Sequence, residues 1–208
     1  MGVLEPRPIA GRPSGRALSS AGLSRLVWGA EKRQVHGFTL IELMITLAVA
    51  LVLIMVAVPS FQGITLSNKL TTTANDVVNA IHAARMEAIK RNASTQLCSN
   101  SASSNTTDAL GSACGTQAGA VYALNGVTVT PVLAGTLGQA PSLRLNGDMK
   151  ALRFTGQGLG KAIGGSTPYT GQVVDICTSQ MSSNNHRVIT MTAGSILEIT
   201  TSTGNCPS

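Results

Sequence analysis

The sequence predicts an α+β protein in which one long N-terminal helix packs on a C-terminal antiparallel β domain. Three observations support this prediction. Residues 38–58 form an apolar run of 21 residues with one charge. Residues 66–88 carry apolar or small side chains at helical spacing, which makes the second half of the helix amphipathic. Beyond residue 118, short β-prone segments are separated by Gly, Asn and Pro.

The apolar run from Phe38 to Val58 is long enough to cross a membrane as a helix. At about 1.5 Å per residue it spans roughly 30 Å, the thickness of a bilayer's hydrocarbon core. Its one charge, Glu42, lies about one turn in, and a carboxylate deep in lipid costs on the order of 2.5 kcal/mol, so we expect it to have a partner. No small-residue cleavage site follows Val58, unlike a secretory signal. The simpler alternative is an ordinary single-pass anchor with an incidental acid.

The basic residues are concentrated before this run. The chain carries a net charge of +6, and residues 1–37 hold six of its 15 basic residues against two of its nine acidic ones. The remainder is therefore nearly neutral, and its composition does not argue for a nucleic-acid partner. Basic flanks stay on the cytoplasmic side, so we expect the N-terminus inside and the C-terminal domain outside.

The segment Gly37-Phe38-Thr39-Leu40-Ile41-Glu42 resembles the prepilin peptidase site of type IV pilins and of type II secretion pseudopilins. The resemblance implies cleavage after Gly37, N-methylation of Phe38, and pairing of Glu42 with the N-terminus of a neighbouring subunit. Pro59 falls where these helices commonly carry a proline. Because proline removes a backbone donor, we expect the helix to continue past Pro59 with a bend.

Residues 1–37 would then be a cytoplasmic leader that is removed. Residues 1–30 are rich in Gly, Pro, Ser and Arg without helical periodicity. We interpret them as a disordered leader, or as an upstream extension from a misplaced start codon, because a leader of 37 residues is long for this family.

The amphipathic half of the helix, residues 59–92, carries a stripe with spacings of three and four residues, broadened by Val78 and Ile89. Its members are Leu66, Leu70, Ala74, Val77, Ile81, Ala84 and Ala88. The helix from Phe38 to about Asn92 would be roughly 80 Å long. Residues Ala83 to Asn92 resemble the A-R-x-E-A-I-x-R-N signature that ends this helix in GspH/FimT-type minor pseudopilins. Glu87 and Arg91 also form a favourable i, i+4 pair.

The C-terminal domain, residues 93–208, contains all four cysteines, Cys98, Cys114, Cys177 and Cys206. An even count outside the membrane indicates two disulfides in an oxidising compartment. Three pairings are possible. The sequential one would stabilise by roughly 3 to 4 kcal/mol per bridge, and we predict that Cys98 and Cys114 staple a Ser/Asn/Gly-rich loop over residues 99–117.

Seven strands are predicted in this domain, and Asn125-Gly126 is the strongest hairpin signal between them. Asn146-Gly147 and Ala193-Gly194 suggest further hairpins. The strands are predicted at residues 120–124, 127–133, 142–145, 151–154, 172–177, 186–192 and 195–200.

No catalytic, metal or cofactor site is predicted. Residues 156–161 superficially resemble a phosphate loop, but the Walker spacing needs Gly in place of Thr155 and Ser or Thr in place of Ala162, so we expect a glycine-rich turn. The three histidines, His36, His82 and His186, have no carboxylate or cysteine at motif spacing. The spacing of the cysteines does not fit a zinc site.

DNA is a possible but disfavoured partner. Some FimT-like proteins bind DNA through a C-terminal G-R-x-R motif, but after Gly194 the arginine positions hold Ser195 and Leu197. We expect the remaining basic residues of this domain to be scattered solvated surface rather than a patch. They include Arg144, Lys150, Arg153, Lys161 and Arg187.

The function that the resemblance implies is that of a minor type IV pilin or pseudopilin, processed by prepilin peptidase and built into a pilus or pseudopilus to help initiate assembly. Its partners would be the inner membrane and other major and minor pilins, with the C-terminal domain in the periplasm. The alternatives are a type II secretion pseudopilin H and a DNA-binding minor pilin for natural transformation.

Overall fold

The computed structural model describes residues 37–135, 137 and 140–207, apart from the side chain of Pro59. The leader predicted over residues 1–37 lies almost wholly outside the described residues. The chain divides into two compact units, Met1–Met44 and Ile45–Ser208.

The first element is one long helix, α1, from Leu40 to Arg91. Residues Leu40–Val58 are exposed, and this stretch is long and apolar enough to cross a membrane. Large apolar side chains that the protein itself does not bury need another covering, which a bilayer or neighbouring apolar helices supply. The helix continues through residue 59. Lys90 and Arg91 lie in its last turn, where cations interact favourably with the helix dipole.

The second half of α1 packs on the β domain along the predicted stripe. All seven predicted positions are buried, and Ala80 is buried with them. Four alanines, at 74, 80, 84 and 88, let strands approach the helix backbone closely. Thr95 donates a hydrogen bond from Oγ1 to the carbonyl oxygen of Ala84 at 2.7 Å, in a fully buried position.

In the part of the chain that the structure describes, all strand pairs are antiparallel, and the strands form two sheets. The five-stranded sheet has the order β3-β2-β1-β5-β6, and the four-stranded sheet has the order β4-β7-β8-β9. Their bounds are β1 Thr95–Leu97, β2 Val121–Asn125, β3 Thr128–Leu133, β4 Arg144–Leu145, β5 Leu152–Phe154, β6 Gly160–Ala162, β7 Gly171–Cys177, β8 His186–Thr192 and β9 Ile196–Ser202. The core between α1 and the sheets is centred on Phe154, Leu70, Leu97 and Ile189, all fully buried. The predicted α+β architecture is confirmed.

The loop predicted over residues 99–117 is wrong in detail. It contains a 3₁₀ turn, Ala102–Ser104, and a short helix, α2, Ala109–Cys114. Asp108 caps α2 by accepting a hydrogen bond from the Gly111 backbone N–H at 3.0 Å. Strands β1 and β6 were not predicted: β1 is buried at all three positions and therefore shows no alternation, and β6 begins in the glycine-rich segment and contains no β-branched or aromatic residue.

Two of the predicted turns also differ from those in the structure. Asn125 pairs with Thr128, so the β2–β3 turn is Gly126-Val127, one residue later than predicted. Only the glycine has positive φ, 61°, and it stands first, which is the requirement of a type II′ turn. Asn146-Gly147 does not make a hairpin, since β4 pairs with β7 and the chain crosses there to the other sheet. Ala193 and Gly194 do lie in the hairpin loop that joins β8 to β9, which Ser195 completes, and their φ angles are 52° and 71°.

The close approach at Ala84 predicts the effect of a larger side chain. Ala84→Leu should destabilise the chain by about 1–3 kcal/mol, because the extra carbons must displace β1 from the helix. Urea unfolding of the detergent-solubilised chain measures this. His82→Leu places the same side chain on the exposed face of the same helix and should change stability little. Equal effects of the two substitutions would contradict the packing described.

Candidate functional site

The segment immediately before α1 is accessible to solvent and therefore to an enzyme. Gly37, Phe38 and Thr39 are not helical, and the Phe38 side chain is 78% exposed. A Cβ added at Gly37 would meet no atom within 4 Å. The Gly37–Phe38 peptide bond is therefore accessible and lies outside regular structure, which is the state in which a protease can bind a backbone segment.

Glu42 lies in the first turn of α1. Its backbone N–H donates to Thr39 Oγ1 at 3.2 Å, so Thr39 caps the helix and Thr39–Glu42 has the spacing of a capping box. An acid in the first turn gains typically 0.3–1 kcal/mol from the helix dipole. That gain is smaller than the roughly 2.5 kcal/mol cost of a charge in lipid. No cation lies within 4.0 Å of the Glu42 carboxylate among the described residues.

The segment from Ala83 to Asn92 at the end of α1 holds the helix to the β domain. Arg91 Nε lies 2.5 Å from Glu87 Oε1, and Arg91 Nη1 donates to Thr130 Oγ1 on β3 at 2.7 Å. Lys90 Nζ is more distant from Glu87, at 3.9 Å, and is largely exposed. The role of this segment within the chain is thus to join helix and sheet.

The glycine-rich segment 156–160 packs against the same helix end. A Cβ on Gly156 would lie 2.2 Å from Asn92 Oδ1, and one on Gly158 would lie 2.7 Å from Ile89 Cδ1. Gly158 also has a φ of 74°. These glycines are explained by close backbone approach, and the segment is a turn leading into β6, as the departures from the Walker spacing predict.

Two of the basic residues predicted to be solvated are not. Arg153 Nη1 lies 2.5 Å from Asp108 Oδ2, its Nη2 lies 3.1 Å from Oδ1, and the guanidinium also bonds Gln96. The Arg153 guanidinium, aided by the Gly111 N–H, holds the pKa of Asp108 well below its usual range. Through this pair and the Cys98–Cys114 disulfide, the segment 98–114 is fixed to β1 and β5.

Arg187 is the second residue that was predicted to be solvated and is not, since only 7% of its surface is exposed. It donates from Nη2 to Ser67 Oγ at 3.0 Å, from Nη1 to the carbonyls of Asn184 and His186 at 2.9 Å, and from Nε to Thr71 Oγ1 at 3.4 Å. Arg144 and Lys150 are exposed and Lys161 is half-buried. Fewer cations are thus free for phosphate contacts than the sequence alone indicates.

A buried His–Asp pair also escaped sequence reasoning. His186 Nδ1 lies 2.9–3.0 Å from both carboxylate oxygens of Asp175 on β7, and Asn146 Nδ2 donates to Asp175 at 2.8 Å. Asp175 and His186 are 11 residues apart in the sequence, a separation that does not by itself indicate contact. They come together only because β7 pairs with β8. Within the described part of the chain, His186 Nε2 is buried without a hydrogen-bond partner, beneath Gly204. A ring nitrogen closed off in this way has no access to a substrate.

The cysteines are paired sequentially, Cys98 with Cys114 and Cys177 with Cys206, with Cα atoms 5.4 and 5.7 Å apart. The second bridge ties the C-terminal segment to β7. No cluster of three or more His, Cys, Asp or Glu side chains able to hold a metal occurs in residues 37–135, 137 and 140–207.

Two protein-family models match the chain. The one described as type II transport protein GspH matches residues 73–194, from the amphipathic half of α1 to the β8–β9 turn. The one described as the prokaryotic N-terminal methylation motif matches residues 32–58, which include the Gly37–Phe38 peptide and the apolar run. No curated protein and no solved structure gives a significant match.

The Asp108–Arg153 pair predicts a pH-dependent contribution to stability. The folded pKa of Asp108 lies well below its unfolded value near 3.9, so the ionised carboxylate stabilises the fold fully above about pH 4, and this contribution declines progressively as the pH falls from there through the folded pKa. Its side chain is 46% exposed, which limits the contribution to about 1 kcal/mol.

Asp108→Asn tests this, because asparagine can still cap α2. Urea midpoints should separate wild type from variant at pH 7, and the difference should be smaller at pH 3, because the unfolded-state carboxyl is protonated there while the folded-state one is still ionised. A difference that is the same at both pH values would assign the effect to something other than the charge.

Proposed function

This chain belongs to the GspH family of type II transport proteins, and from that premise we propose that it is a minor subunit of a pilus-like filament. In this proposal prepilin peptidase cuts after Gly37, and the new N-terminal Phe38 is methylated. The subunit then waits in the inner membrane with its β domain in the periplasm, and it joins other pilins to help initiate a filament. GspH pseudopilins are structural proteins rather than enzymes.

The observation that carries the proposal is the position of Glu42 four residues after an exposed, non-helical Gly37–Phe38 peptide. Hydrolysis of that peptide converts the amide nitrogen of Phe38 into a charged amine at the edge of the same apolar segment. Methylation keeps a protonated amine positive. A processed subunit therefore carries both an anion and a cation near the membrane face of one helix.

The mechanism follows from the low dielectric of this environment. Two opposite charges 4 Å apart attract by about 4 kcal/mol at an effective dielectric constant of 20, against about 1 kcal/mol in water. That attraction offsets most of the cost of placing the carboxylate and the ammonium in lipid, which is roughly 2.5 kcal/mol for each charge. Glu42 of an incoming subunit would pair with the Phe38 ammonium of a neighbour, and because the attraction is largest when the two groups are in contact, it would fix the axial register.

The exposed apolar part of α1 needs an apolar environment both before and after assembly. Once it leaves the bilayer, residues 40–58 need an apolar covering, and packing against the same segments of neighbouring subunits supplies one. The same surface thus suits storage in a membrane and assembly in a filament core.

Two machines could use such a subunit. We propose the type IV pilus, on the ground of the disulfide-bonded β domain. The type II secretion pseudopilus is the second candidate, and the description of the matching family model favours it. Counting surface pili and assaying secreted enzymes in a deletion strain separates them: loss of pili supports the first, and loss of secretion with normal pili supports the second.

Replacing the glycine at the cleavage point should stop processing. A Cβ at residue 37 meets no atom of the described residues within 4 Å, so the effect of Gly37→Leu should report on the peptidase rather than on folding. Intact-mass measurement of the membrane-extracted protein should show the leader retained, with membrane insertion unchanged. Gly63→Leu, at a second glycine with open surroundings, should be cleaved normally. Normal cleavage of Gly37→Leu would contradict the assigned site.

Removing the acid should separate processing from assembly. Glu42→Ala, and the nearly isosteric Glu42→Gln, should leave cleavage and insertion largely intact while lowering incorporation about tenfold or more, because an interaction of more than 1.4 kcal/mol is lost. Immunoblots of sheared filaments and membranes measure the ratio. Filament incorporation equal to wild type in both variants would refute the charge-pairing mechanism.

A further inference from the structure

The four-stranded sheet ends in the strand β9, whose outer edge is open. The sheet order places β8 on one side of β9 and, among the described residues, no strand on the other. Within the part of the chain that the structure describes, the outward backbone groups of Ile196–Ser202 have no hydrogen-bond partner. The segment after β9 leaves this edge uncovered, because it turns back over His186, and Cys206 is bonded to Cys177 on β7.

The other edges of the two sheets are protected against pairing with another chain. The edge strand β3 contains Pro131, and its pairing with β2 has a register shift. The edge strand β6 has three residues and a bridge to Pro168, and β4 has only two residues. Short strands, prolines and bulges are devices by which proteins prevent an exposed edge from pairing with another chain.

β9 has none of these devices. It is seven residues long, and every residue pairs with β8 without a register shift. It contains no proline, glycine, lysine or arginine, and its one charged residue is Glu198. An edge of this length and regularity is a template on which another strand can form. The contrast with β3, β4 and β6 indicates that this edge is kept open for a partner.

The side chains of β9 leave part of the core uncovered at the same edge. Leu197 and Ile199 lie opposite the buried Met191 and Ile189 of β8, so they point to the same side of the sheet, toward α1. Ile199 nevertheless remains 38% exposed, since no described strand lies beyond it. An added strand would cover Ile199 and would pair the open backbone groups of β9.

The β9 strand of a second copy does not suit this edge. Two antiparallel copies of one strand are related by a two-fold axis perpendicular to the sheet. This sheet packs face-on to the second half of α1, because side chains of β7 and β8 share a core with Leu70 and Val77. The axis would therefore reverse the direction of α1. Subunits that are anchored in one membrane, or aligned in one filament, have their helices pointing the same way.

We infer that β9 binds an extended strand of a different subunit of the filament, by addition of that strand to the four-stranded sheet. The inference rests on the proposed function, which supplies such neighbours. The partner strand carries apolar residues at alternate positions, which cover Ile199 on the side of α1. Glu198 points to the opposite side, where a basic residue across from it is favoured and an acidic one is disfavoured. Backbone hydrogen bonds then supply affinity, and these alternating side chains supply specificity.

Hydrogen exchange of the β9 amides tests this inference. The subunit in purified filaments and the full chain in detergent are exchanged for the same times, and peptides that cover β9 and β3 are compared by mass spectrometry. Amides on the outer side of β9 should exchange about tenfold more slowly in the filament, because each gains a hydrogen bond. The amides of β3 are the internal control, and their exchange should not change.

Ile199→Lys tests the side-chain contact. Because Ile199 is partly exposed, the lysine ammonium can reach water in the free subunit, and urea unfolding should confirm that the variant folds. Its incorporation into filaments should fall about fivefold or more, since the ammonium would face apolar side chains of the partner. Val127→Lys is the matched control, because Val127 is 95% exposed in the β2–β3 turn and should tolerate lysine without loss of incorporation.

The outcomes separate this inference from the proposed function. A subunit that is present in filaments while its β9 amides exchange as fast as in detergent would overturn the inference alone, as would equal incorporation of the two lysine variants. Protection of β9 that appears in the isolated chain and rises with its concentration would assign the edge to a second copy instead. Absence of the subunit from filaments would overturn the proposed function and the inference together.

Discussion

The central constraint on this molecule is one carboxylate in an apolar helix. Glu42 stands in a stretch that otherwise suits only lipid or other apolar helices, and the helix dipole repays less than half of its cost. The chain does not supply a cation for it within the described residues. The amine that cleavage after Gly37 would release is the cation closest in sequence, and a neighbouring subunit can present it. Processing, register and assembly are in this view consequences of one charge.

The rest of α1 meets a different requirement, which is to pack closely on the β domain. From residue 74 onward the buried stripe includes four alanines, and the small side chain of Ala84 lets β1 lie against the helix backbone, where Thr95 donates a hydrogen bond to the Ala84 carbonyl. The end of the helix is then held by Arg91, which contacts Glu87 and Thr130, and by the glycines of 156–160. A subunit that is pulled out of a membrane by its helix needs this rigid connection, because otherwise the force would not reach the β domain. Arg187 strengthens it further along the helix, through Ser67 and Thr71.

The sequence was sufficient wherever a pattern extends over many residues or repeats a family motif. The limits of α1 and its buried stripe follow from the 3.6-residue period, and the family follows from the segments at Gly37–Glu42 and Ala83–Asn92. It failed where an element has no periodic pattern or a contact is distant. Strand β1 is buried at every position and β6 begins among glycines, α2 depends on the cap by Asp108, and the Gly126-Val127 turn is decided by register. The burial of Arg187 and the His186–Asp175 pair arise from residues brought together by sheet pairing, which no local pattern encodes.

The pairing of Glu42 with another subunit's N-terminus can be measured directly. Purified filaments treated with a hydrophobic carbodiimide, which joins carboxylates to amines in contact, would be digested and examined by mass spectrometry. The account predicts a peptide in which Glu42 is linked to the N-terminal amine of a neighbouring subunit, and its absence when Glu42 is replaced by Gln. Filaments that contain the subunit, and in which other carboxylates react while Glu42 never links to an N-terminus, would contradict it.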